Sequence, residues 1–87
     1  MMEAIKLEQL FQELRGQTFV SSVNLVFGQG SSATINNAQM YYGDEMVYIR
    51  SDSSQISLKM SSIDEIMVSR IDQGDGLIIE NVYFITA

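Results

Sequence analysis

The spacing of apolar residues changes near Gly16 from a helical to an alternating pattern. Leu7, Leu10, Phe11 and Leu14 fall at i, i+3, i+4 and i+7, which puts them on one face of a helix. Glu3, Glu8, Gln9, Gln12 and Glu13 occupy the remaining positions, Arg15 complements the helix dipole in the last turn, and Gly16 is placed to stop it. The pattern predicts a helix over 3–15. A helix this short does not persist alone, so its apolar stripe must dock on the rest of the chain.

Beyond Gly16 the alternation predicts strands at about 17–27, 33–42, 46–51, 55–60, 66–71 and 77–86. They are separated by turn-forming stretches at Gly28–Ser32, Gly43-Asp44, Asp52–Ser54 and Asp72–Gly76. Ser62-Ile63-Asp64-Glu65 has capping-box spacing, with Ser62 as N-cap and Glu65 at N3. It predicts one short helical turn over 62–65 that leads into the fifth strand. One helix followed by closely connected strands argues for a mainly β domain with antiparallel pairing, because parallel strands need long crossovers. Two architectures satisfy this order: a small closed barrel plugged by the helix, or an open α+β sheet with the helix packed on one face.

The helix, then Gly16-Gln17-Thr18-Phe19-Val20, then paired strands around Met46–Ser51, then Ile56–Ile66 with its Ser-Ile-x-x-Ile turn, resembles the small SH3-type and Sm-like barrels. The likeness runs over roughly residues 5–71. It implies a barrel in which the single helical turn re-aims the chain into a closing strand. It also raises single-stranded nucleic-acid binding, with Arg50 or Arg70 repeated around the pore of an oligomeric ring. The RNA-contacting Asp-x-x-x-Asn signature of the Sm family has no counterpart between Ile35 and Arg50.

Composition narrows the chemistry. The 87 residues, enough for a single domain over 1–87, contain no His, Cys, Pro or Trp. The side chains that most often perform acid–base, nucleophilic and transition-metal chemistry near neutral pH are therefore missing. Five Lys and Arg against eleven Asp and Glu give a net charge of −6, which opposes approach to nucleic acid and anionic lipid. No stretch approaches the roughly 20 apolar residues of a membrane span, and the first residues lack the basic start and apolar run of a signal peptide. A cytoplasmic location is the expectation.

The remaining candidates read as structural. Asp72 and Asp75 lack the carboxylate spacing of a calcium loop and match a turn. Asp44-Glu45 and Asp64-Glu65 read as solvated turn or cap residues, since strand neighbours point to opposite faces. The serine pairs have only Lys6 and Lys59 as conceivable bases. No catalytic, cofactor-binding or metal-binding residue is assigned, and no cofactor is expected. Tyr41, Tyr42, Tyr48 and Tyr83 lie in predicted strands, and at least one of the adjacent Tyr41 and Tyr42 should be exposed.

The last strand is apolar on both faces, Ile78, Val82 and Phe84 on one and Leu77, Ile79, Tyr83 and Ile85 on the other. As the end of a meander it would lie at an edge, where burial against a second copy would cover it. Insertion between earlier strands would cover it equally well. The sequence thus predicts a non-enzymatic, self-associating protein-interaction module, a homo-oligomer joined through Ile78, Val82 and Phe84. The alternative is an Sm-like single-stranded nucleic-acid binder.

Overall fold

The computed structural model describes residues 2–86. A three-residue strand β1 (Met2–Ala4) precedes a seven-residue helix α1 (Leu7–Glu13), which tightens into a single 3-10 turn over Leu14–Gly16. Six strands follow: β2 (Val20–Val26), β3 (Ser32–Gly43), β4 (Met46–Arg50), β5 (Gln55–Lys59), β6 (Ile63–Asp72) and β7 (Leu77–Thr86). They form one sheet in the order β1-β6-β7-β2-β3-β4-β5.

The sheet is mainly antiparallel but open, with β1 and β5 as its edges. The closed barrel is therefore not formed, and the arrangement is an open sheet carrying a helix. It also departs from a purely antiparallel sheet, because β7 pairs with β2 in parallel, from Ser22·Asn81 to Val26·Ile85. The intervening β3 to β6 serve as the long crossover that parallel pairing requires.

The helix begins later than the periodicity predicts. Glu3 and Ala4 pair with Val68 and Met67 of β6, and the Ile5 N–H donates to the Ile66 carbonyl at 3.0 Å. Those backbone groups are thus committed to the sheet. Leu10 has no exposed surface, and Leu7, Phe11 and Leu14 pack partly buried against the same core. The core comes from the inner sheet face: Val23 and Leu25 of β2, Ile35 of β3, Val47 and Ile49 of β4, Val68 of β6, and Val82 and Phe84 of β7.

Irregularities at Asn37 and at Glu80 shape the sheet. Residues 32–38 of β3 pair with β2 and residues 39–43 with β4, and between them Asn37 takes a positive φ of 51°. Ile35 and Ala38, three apart, are consequently both buried, so the bend lets one strand line the core along its length. In β7, Asn81 pairs with Ser69 and Ile79 with Arg70, leaving Glu80 as the extra residue of a bulge. The bulge reverses the alternation, so Ile79, Val82 and Phe84 all reach the core. This phase change explains why the segment looks apolar on both faces.

The predicted turn at 62–65 occurs instead as a 3-10 turn at Met60–Ser62. The Ser62 hydroxyl donates to the Lys59 carbonyl at 2.8 Å, and Ile63 is already the first residue of β6. There is no capping box. Asp44 and Glu45 form the two-residue β3–β4 turn with φ of 53° and 65°. Positive φ at both central residues is the mirror-image hairpin geometry that favours Asn-Gly or Asp-Gly. Glu45 carries a Cβ into that conformation at a cost of roughly 1–2 kcal/mol. Glu45→Gly should therefore raise stability by about 0.5–1 kcal/mol after glycine's own entropic cost, read as a higher urea midpoint with an unchanged slope.

Candidate functional site

The residues predicted to join two copies lie mostly inside one. Val82 and Phe84 have no exposed surface, and β7 has a hydrogen-bonded strand on each side. Insertion between β6 and β2 has satisfied the strand within the chain, which removes the reason for a partner there. Ile78 differs: it is half-buried opposite Ile71, towards the tip of the β6–β7 hairpin. The three do not form one surface.

Of the acidic candidates, Asp72 is accounted for by the backbone. The Asp72 carboxylate accepts the Gly74 N–H at 2.8 Å, and Gly74 has a φ of 88°, so this aspartate shapes its turn. Among the described residues no group of three or more acidic side chains is arranged to hold a metal ion. Nor is any helix of the described residues long and apolar enough to cross a membrane.

Three features of the outside remain. The first is a side-chain ladder across the outer sheet face. The Ser22 hydroxyl donates to Asn81 Oδ1 at 2.6 Å, Asn81 Nδ2 to Ser69 Oγ at 2.9 Å, Asn24 Nδ2 to Ser22 Oγ at 3.1 Å, and the Thr34 hydroxyl to Asn24 Oδ1 at 2.8 Å. The ladder links β6, β7, β2 and β3 and fixes the register of the parallel pair. Its groups are spent on one another, which suits a structural role.

The second feature is the edge at β5. The Met60 N–H donates to the Glu45 carbonyl at 2.9 Å, and the Ser51 N–H to the Ser54 carbonyl at 2.8 Å, one at each end of the β4–β5 ladder. Alternate pairs in an antiparallel ladder exchange hydrogen bonds. Val47·Leu58 and Ile49·Ile56 are therefore the bonded pairs in this register. The backbone groups of Gln55, Ser57 and Lys59 point away from β4, along an edge that carries no further strand. The opposite edge, β1, has three residues, so β5 is the longer unpaired edge.

The third feature is aromatic and basic. Tyr41 and Tyr48 are directly opposed on the outer face of β3 and β4, ring centroids 5.6 Å apart and stacked. The Arg50 guanidinium lies over the Tyr41 ring at 5.6 Å from its centroid. Tyr42, on the other face, rests against Phe11 at 4.6 Å yet stays largely exposed. Both members of the Tyr41-Tyr42 pair are thus accessible. Arg15, from the turn after α1, joins Tyr41 and Arg50 around a depression of about 480 Å³.

Arg50 and Arg70, interchangeable in sequence as candidate anion contacts, differ in structure. Arg70 is mostly buried and ion-paired to Glu3 and to Glu13, the latter at 2.8 Å, so it ties β1 and α1 to β6. Arg15 and Arg50 have no ion-pair partner among the described residues. The sequence reading missed Arg15. Its position as a helix-terminal cation was the signal available, and nothing in the spacing sets it beside Arg50. Comparison with protein-family models, curated proteins and solved structures finds no match to this chain.

Proposed function

We propose that the chain is a non-enzymatic, cytoplasmic protein-interaction module that self-associates by pairing sheet edges at β5. The observation that supports this most directly is the outward-facing backbone of Gln55, Ser57 and Lys59 on a strand that, among the described residues, has no neighbour on its outer side. Unpaired edges are templates for another strand, and proteins that avoid pairing blunt them with proline, bulges or inward charges. β5 has no proline and pairs with β4 in an unbroken register, and its core-facing residues are Ile56 and Leu58. Lys59 is its one charge, placed at the end of the strand. Two copies related by a two-fold axis would pair β5 with β5, which closes the assembly at a dimer.

Proline substitution tests this without disturbing the monomer. Proline is tolerated on an edge strand where its missing N–H would have faced solvent. Ser57→Pro should therefore fold with a near-wild-type melting temperature and remain monomeric in light scattering. The wild type should be dimeric at about 100 µM, well above the micromolar strength of a weak specific contact. Ile56→Pro removes an N–H bonded to β4 and should unfold the edge. A monomeric wild type at that concentration, or a dimer persisting in Ser57→Pro, would overturn the reading.

A further inference from the structure

We infer that the depression between the end of α1 and the outer face of β3 and β4 is a binding site for a mononucleotide, with Arg15 and Arg50 on the phosphate and Tyr41 under the base. Charge is the first reason. In a chain with eleven acidic and five basic residues, arginines are expected to find carboxylates, as Arg70 does twice. Among the described residues Arg15 and Arg50 do not, although both line the same depression. Two arginines with no carboxylate partner among the described residues, both lining one hollow, give it positive charge on a negative molecule. Guanidinium forks bind phosphate oxygens in a bidentate manner.

The aromatic geometry supplies the second reason. Tyr41 is 42% exposed, backed by Tyr48 at 5.6 Å and held under Arg50 at 5.6 Å. Its ring therefore has a set orientation before any ligand arrives. A base takes the place of the Arg50 guanidinium on that ring as the guanidinium turns to the phosphate, and the stack tolerates any base, because every base has a π face. Gln39, opposite Arg50 in the β3–β4 register, and Thr18 add neutral hydrogen-bonding groups to the rim.

The surroundings select a single nucleotide over a polymer. Glu8 lines the adjoining depression with Arg15 and Tyr41, and Asp52 lies in the turn two residues beyond Arg50. A second phosphate on either side would meet those carboxylates and the net charge of −6. Nucleic-acid binders draw affinity from many phosphate contacts and released counterions. Two arginines suffice for one phosphate group and not for a track.

Titration of the full chain with AMP, adenosine, inorganic phosphate and a single-stranded decanucleotide tests this site, followed by NMR shifts of the Arg15, Tyr41, Tyr48 and Arg50 amides. AMP should bind with a Kd below about 1 mM, at least tenfold more tightly than adenosine or phosphate, and shift those amides first. Arg15→Gln and Arg50→Gln should each weaken AMP binding about tenfold. Both side chains are exposed, so the melting temperature should not move. Unweakened binding in both variants, AMP no tighter than its separate parts, or tighter binding of the decanucleotide would each overturn the proposal. The same measurements in Ser57→Pro separate this site from self-association, since a monomer should retain it.

Discussion

Phe84→Lys should fail to fold, and Val82→Lys should behave likewise. Both side chains are without exposed surface, in a strand hydrogen-bonded along both edges. Phe84 stands opposite Leu25 on one side and Ile66 on the other, so an ammonium group there has no route to water short of separating β2 from β6. Loss of a buried phenylalanine costs about 3–5 kcal/mol. Burying an unpaired charge costs several more, against a total stability of about 5–15 kcal/mol for a domain. Circular dichroism should show loss of the sheet signal at 25 °C. Folded monomers from either variant would mean that β7 lies at a surface, one of the two positions its sequence left open. Ile78→Lys, at a half-buried site near the hairpin tip, should remain folded and serve as the control.

The position of β7 shows where sequence reasoning stopped. Its apolar character was plain from Leu77 to Ile85, and so was the need to cover it. Which strand covers it was not, because hydrophobic alternation specifies a face and carries no record of a neighbour. The bulge at Glu80 compounded this by changing the phase inside the strand, so the face assigned to Ile78 is not the face of Val82 and Phe84. A mainly β order with one helix was legible because turn residues at Gly28–Ser32, Gly43–Glu45 and Asp72–Gly76 punctuate the chain, and local chemistry fixes turns.

The same division holds at the ends of the helix and around the candidate site. The stripe from Leu7 to Leu14 was readable because its partners lie within two turns. The loss of Glu3 and Ala4 to β1 depended on β6 residues far along the chain, and on Arg70, whose guanidinium holds both Glu3 and Glu13. Likewise Tyr41 could be assigned to an exposed face from its neighbour Tyr42. That Arg15 and Arg50 line one depression beside it depends on where the chain leaves α1 relative to β3 and β4, a tertiary arrangement with no local signature.

Leu10→Asp is expected to be the most damaging change in the helix. α1 has seven residues and lacks a side-chain cap at Lys6, so its own propensity cannot hold it. It persists because Leu10 inserts into the core, flanked by the partly buried Leu7, Phe11 and Leu14. An aspartate there removes the transfer free energy of the leucine and places a carboxylate among Val, Ile and Phe side chains. A penalty of several kcal/mol approaches the whole stability of a small domain. Helix and sheet should be lost in one transition, because Leu10 belongs to the same buried cluster as the inner face of the sheet. Gln12→Asp, on the exposed face of the same helix, should melt within a few degrees of wild type and shows that acidity alone is harmless there. A Leu10→Asp protein that keeps its strand signal and melts cooperatively near wild type would mean that the sheet stands without the helix. In that case α1 would be an appendage rather than part of the core.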